Sequence, residues 1–145
     1  LTKSKSQSIG IYVLIISVIF QGFSGILGGI GLVIDPRGEL LHIPIEWLEN
    51  SPFKDYLIPG IILLIILGVF PLIVVYGLWK NLPWAWFSAL VLGIALLIWI
   101  GVEILIIGYQ NEPPLQLIYG VVGLSILIST LLPSVQRLLK HNKIL

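Results

Sequence analysis

The sequence predicts an all-α, polytopic membrane protein: a four-transmembrane-helix bundle, both termini inside (N-in/C-in), with one long outer loop carrying a short interfacial helix. Three observations carry this. Four apolar runs, about 8–34, 57–79, 82–108 and 115–135, each reach the ~20 residues that a bilayer's hydrocarbon core requires of a helix. Every charge except Glu103 falls outside those runs, and the basic charges fall at alternate breaks. With 57% hydrophobic and 10% charged residues among 145, the chain fits neither a soluble nor a disordered domain. The spans use most of the length, so residues 1–145 form a single domain.

Orientation follows from charge. Lys3, Lys5, Lys80, Arg137, Lys140 and Lys143 sit at the N-terminus, the second connection and the C-terminus, with no acid among them. The first and third connections hold Asp35, Glu39, Glu46, Glu49, Asp55 and Glu112 against only Arg37 and Lys54. The positive-inside rule then makes both termini and the 80–83 turn cytoplasmic, with the 35–56 loop outside. The expected location is the plasma (cytoplasmic) membrane, which the chain crosses several times. The absence of cysteine excludes disulfides, iron–sulfur clusters and thiolate metal sites. Two lysines before an apolar run suggest a secretory leader. The run exceeds the roughly 7–15 apolar residues of one, and no A-x-A site follows, so it reads as a retained span.

The first run carries Ser17, Gln21, Ser24, Gly25, Gly28 and Gly31 at spacings of three and four, on one helical face. Gly25 and Gly29 add the small-x-x-x-small pattern that lets backbones approach closely in lipid. Gly25, Gly28 and Gly29 are therefore expected at a helix-packing face, within the bundle or at a homodimer seam. Gln21, near mid-span, needs a hydrogen-bond partner in the bundle or on a ligand.

Asp35-Pro36-Arg37-Gly38 is turn chemistry that stops the first helix. Pro44 to Asn50 predicts about two helical turns, with Ile45 and Leu48 on one side, Glu46 and Glu49 on the other, and Trp47 at headgroup depth. The second helix begins at Pro52 with a kink at Pro59, or only at Pro59. His42, a lone loop histidine, reads first as a solvated or capping side chain. The segment Trp47-Leu48-Glu49-Asn50-Ser51-Pro52-Phe53-Lys54-Asp55-Tyr56-Leu57-Ile58-Pro59-Gly60 resembles one in small, uncharacterised four-span bacterial membrane proteins. The likeness covers about a tenth of the chain and implies a topology without an activity. In size and span number the chain is also loosely similar to DoxX-type proteins.

Gly68 and Pro71 predict a mid-membrane bend in the second span. Trp79, Trp84 and Trp86 around Lys80 form an aromatic belt, and the tight turn makes spans two and three antiparallel neighbours. The third span holds Ser88, Ala95, Trp99, Glu103 and Gln110 on one face. Glu103 lies five residues before Gly108, or ~7.5 Å below the outer end at ~1.5 Å per residue. A carboxylate at mid-span costs ~2.5–3.5 kcal/mol on insertion scales, less near the interface. Partners expected at its depth are Gln116, Tyr119 and Tyr109, and Arg37 or His42 if the outer loop folds back. Three readings stay open: a wetted interfacial residue, a buried staple between helices, and a ligand- or proton-handling group. The fourth span opens at Pro113-Pro114 and closes at Pro133 before a basic tail, Arg137 to Lys143, suited to anionic headgroups.

No histidine pair, phosphate-binding loop or metal-spaced acids occur, so the chain carries no catalytic signature and no cofactor is expected. The basic residues are too few and scattered for nucleic acid. Two function classes remain. One is an accessory or assembly subunit of a larger membrane complex, or a binder of a lipid-like ligand at its outer mouth. The other is a small proton-coupled transporter using Glu103. The candidate ligand-binding set is Glu103, Trp99, Gln116, Tyr119, Tyr109, Gln21, Arg37 and His42.

Overall fold

A computed structural model describes residues 5–110 and 114–141. Lys3, Glu112, Pro113 and Lys143, which the charge and turn arguments use, lie outside the described residues. Among those described, the fold is all-helical: α1 (Lys5–Ile34), a 3₁₀ turn (Ile45–Leu48), α2 (Leu57–Leu64), a π turn (Ile65–Val69), α3 (Phe70–Trp79), α4 (Pro83–Ile107), α5 (Leu115–Leu131) and α6 (Pro133–His141). Three stretches, Ile9–Ile34, Leu57–Trp79 and Pro83–Ile107, are long and apolar enough to cross a membrane, and a fourth is if α5 and α6 count as one broken span.

Local chemistry sets the boundaries. α1 contains no proline and ends where Asp35 gives its N–H to Gly31 and Pro36 has none to give. Neither Pro52 nor Pro59 starts the second helix; it begins at Leu57. Tyr56 stands at its cap, and residues 51–56 form bends apart from Phe53. α3 closes in a Schellman motif: Asn81 takes φ +55°, its N–H reaches the Leu78 carbonyl, and the Leu82 N–H reaches Gly77. α4 starts with Pro83 in its first turn and stops at Gly108, φ +74°.

The fourth span differs from the prediction. Helix α5 ends at Leu131, and the expected continuation to residue 135 is broken by a 67° bend into α6. The cause is Pro133, which pushes Leu132 into extended backbone (φ −60°, ψ 133°) because its ring clashes with a helical predecessor. The basic tail is therefore an amphipathic helix whose Val135 and Leu139 are fully buried while Arg137 is exposed.

α1 packs against α2, the π turn and α3 on one side and α5 on the other; α4 packs against α3 and α5. This places four helical segments around one core, with α6 tucked under α1, α4 and α5. Leu14, Val18, Leu67, Val74, Leu92, Leu96 and Ile126 fill its centre. The outside is almost as apolar: only 39%, 28% and 22% of the three spans' most apolar windows are buried. Exposed patches of that extent do not persist in water, and they are consistent with a membrane protein.

The small-residue stripe of α1 faces the second apolar run of the same chain. A methyl on Gly25 would collide with the Leu67 carbonyl, and one on Gly29 would lie 2.6 Å from Leu64 Cα. Gly28 meets the tip of Leu63 at 3.2 Å. The predicted bend at Gly68 and Pro71 takes the form of a π turn, with the Phe70 N–H reaching back to Ile65. Pro71 lacks the N–H that would pair with the Leu67 carbonyl four residues earlier. Gln21 Nε2 donates to that carbonyl instead, at 3.0 Å, and its Oε1 has no partner among the described residues.

Candidate functional site

Glu103 lies in the last turns of α4, and its surroundings form in three steps. Helix α4 stops at Gly108, and the connection returns so that α5 begins beside it. Gln116, in the first turn of α5 and 5% exposed, stitches the joint: its Oε1 accepts the Gln110 N–H at 2.6 Å and its Nε2 donates to the Gly108 carbonyl at 3.3 Å. The side chains of Trp99 and Gln116 also lie beside the Glu103 carboxylate. Trp99 is one helical turn before Glu103 on the same face, the spacing at which side chains meet.

The outer loop covers this end. Asp35 receives the N–H groups of Arg37 (3.3 Å) and Leu40 (2.8 Å) and shapes the turn out of α1. Tyr56 donates its hydroxyl to the Pro44 carbonyl at 2.6 Å and its N–H to Pro36 at 2.7 Å, tying both ends of the loop together. The 3₁₀ turn Ile45–Leu48 then rests on α4. Tyr56 is 7% exposed. Burial, and then the negative charges of Glu103 and Glu46, push its hydroxyl from the ordinary 10.0 to about 12. Glu103 is thus close enough to Tyr56 to act on it electrostatically.

The loop does fold back, but it brings Tyr56 and Glu46 rather than a cation. Arg37 is exposed and pairs with Glu39 at 3.6 Å; His42 is exposed at φ +57°. Among the described residues no basic side chain forms an ion pair with Glu103. Tyr119 stacks on Phe20, with ring centroids 5.7 Å apart, and packs against the core. Gln21 bonds Leu67, ten residues along from Leu57 and so ~15 Å deeper at ~1.5 Å per residue. The candidate set therefore separates into a cluster at Glu103, Trp99 and Gln116, a rim residue Tyr109, and four residues engaged elsewhere.

Beside the cluster runs a groove of about 300 Å³ between α4 and α5. Ile100 and Ile104 line one wall and Leu117, Gly120 and Leu124 the other, with Tyr109 and Gln116 at its acidic end. A methyl on Gly120 would meet nothing within 4 Å, so the missing side chain leaves real space. Gln116 belongs to both features, lining the groove and lying beside Glu103.

Compared with known proteins, the chain matches no family model, no curated protein and no solved structure. The chemistry must be read from the residues themselves. Among the described residues no three His, Asp or Glu side chains gather to hold a metal ion. Trp99 and Gln116 each set a hydrogen-bond donor beside Glu103. The sequence does not mark Tyr56 as the buried residue that ties the outer loop, since span periodicity says nothing about which loop residue turns inward. It also missed the groove, although an isolated Gly120 opposite no bulky partner was a faint signal.

Proposed function

We propose that the protein is a four-span integral membrane protein of the cytoplasmic membrane, with both termini and the α3–α4 turn inside, that holds a lipid-like ligand at its outer mouth without transforming it. The observation that carries this reading is the apolar α4–α5 groove ending at Gln116 and Tyr109. Its walls suit an acyl or similar chain, while the amide and phenol at its mouth suit a polar head. Glu103 serves by holding the Gln116 amide in place, so its carboxylate acts on the ligand through a neighbour. Pockets of this kind, apolar with a few convergent polar groups, are the ordinary form of a small-molecule site.

A proton-coupled carrier would need polar groups past the midplane. Below Glu103 the core is Leu92, Leu96, Leu67 and Ile126, all closely buried. The polar groups at that depth are already paired in part: Ser17 with Ser125 at 2.9 Å, and Gln21 with Leu67. This packing supports a binder over a carrier. An accessory role in a larger complex is compatible with the same groove if the ligand bridges to a partner.

The test is photo-crosslinking in vesicles that contain a phospholipid with a diazirine midway along one acyl chain. Adducts are expected to concentrate on the 97–104 and 117–124 segments and to fall several-fold in Gly120→Leu. Adducts spread evenly over exposed positions such as Ile16, Phe23 and Ile58 would sink the proposal.

A further inference from the structure

The opposite, basic end of the bundle carries a second cavity, away from the outer mouth. The 67° bend at Leu132 and Pro133 swings α6 back under the bundle, and this brings Leu138 against the start of α1 and the end of α3. A cavity of about 210 Å³ opens there. Ile11, Ile15, Leu78 and Leu138 supply apolar walls, and Tyr12, Trp79 and Asn81 supply polar or amphipathic ones. The volume equals about seven waters at ~30 Å³ each. It fits a headgroup and the first carbons of its chains, not a whole lipid. The chains have an exit, because Tyr12 and Trp79 are 57% and 67% exposed on the apolar outside of the bundle.

Charge selects the occupant. Lys80 lies between the lining residues Trp79 and Asn81, in a turn fixed by the Schellman bonds, and Arg137 directly precedes the lining Leu138; both are exposed. No Asp or Glu occurs before Asp35, between Leu57 and Val102, or after Pro113, so no acid in the segments forming this end opposes an anion. Tryptophan and tyrosine at headgroup level complete the setting.

We propose that this cavity binds one anionic phospholipid of the adjacent leaflet, its phosphate-bearing headgroup held between Lys80 and Arg137. The bend at Pro133 is what builds the site, since a straight fourth span would carry Leu138 away from Trp79. A free phosphate would gain the charges but leave the apolar walls wet, which is why the lipid is the occupant.

The experiment is native mass spectrometry of the purified protein in mixed micelles, with phosphatidylglycerol and phosphatidylcholine of identical acyl chains at equal concentration. One phosphatidylglycerol adduct is expected, favoured about tenfold over phosphatidylcholine. The preference should fall to near unity in the double variant Lys80→Gln/Arg137→Gln, both of whose positions are exposed and outside the core. Leu138→Trp, or the milder Leu138→Phe, fills the cavity without changing charge and should lose the adduct, with helicity checked by circular dichroism. Equal adducts of the two lipids on the wild-type chain would overturn the proposal. So would a preference that persists in both filling variants, because it would belong to diffuse charge rather than to this cavity.

Discussion

Replacing Gly29 with alanine tests the packing of α1 most sharply. The added methyl would lie 2.6 Å from both Cα and Cβ of Leu64 and 2.7 Å from its nitrogen, where ordinary contacts begin at 3.4 Å. Two of those atoms are backbone, so no side chain can turn away, and the two helices must part by about 1 Å. Inserting a methyl into a packed core costs typically ~1–3 kcal/mol, and here it is offset by up to ~1 kcal/mol of helix propensity gained over glycine. Gly101 is the internal control, because a methyl there meets nothing within 4 Å. Gly101→Ala should be neutral or stabilising by up to ~1 kcal/mol, while Gly29→Ala should be destabilising by about 1–2 kcal/mol. The assay is reversible unfolding in mixed dodecyl maltoside and dodecyl sulfate micelles followed by helicity, with mass determined alongside. Equal stabilities of the two variants would refute the close approach of α1 and α2. A shift from dimer to monomer in Gly25→Leu or Gly29→Ala, without loss of monomer stability, would move the stripe to an intermolecular seam.

Other consequences are equally direct. Gln21→Leu should destabilise by ~1–3 kcal/mol, because it strands the Leu67 carbonyl, and that loss should shrink in a Pro71→Ala background, where residue 71 regains an N–H; a double-mutant cycle in the same micelles measures the coupling. With the Tyr56 hydroxyl at about 12 in the fold against an ordinary 10.0, its neutral form contributes stability that is complete below pH 10 and fades as pH rises through 12. Tyr56→Phe should therefore show less alkaline destabilisation in that window, and an unchanged profile would show that the hydroxyl is not held in the buried setting described. Because the chain has no cysteine, single-cysteine labelling with a membrane-impermeant maleimide is clean: Asn50→Cys should label on intact cells and Lys143→Cys only after permeabilisation. The reverse pattern would invert the orientation.

The helices were largely legible because lipid removes the usual ambiguity: an uninterrupted apolar run of this length has few other ways to satisfy its backbone. Leu57–Trp79 and the third span appear within a residue or two of their predicted bounds. The errors lie where a single proline decides. Pro133 signals a stop in the sequence, whereas in the fold its effect on Leu132 turns the tail into a packed helix, and the spacing of Val135, Leu138 and Leu139 against Arg137 is the signal for that. Pro71 signals a bend, and only the fold reveals that Gln21 replaces its missing donor. At the candidate site, depth and helical phase suffice to group Glu103 with Trp99 and Gln116. The roles of Arg37 and His42 were not legible, because a loop's path depends on bonds such as Tyr56 to Pro44 that no periodicity encodes.

The central claim is that the acidic end holds a lipid-like ligand beside Glu103 and Gln116. Native mass spectrometry of protein released gently from its own membrane addresses it directly. A bound lipid or small apolar molecule on the wild-type chain, depleted in Glu103→Gln and retained in the loop variant Glu46→Gln, is the result expected. A chain that emerges with no small molecule, or whose bound molecule is indifferent to Glu103→Gln, would contradict it.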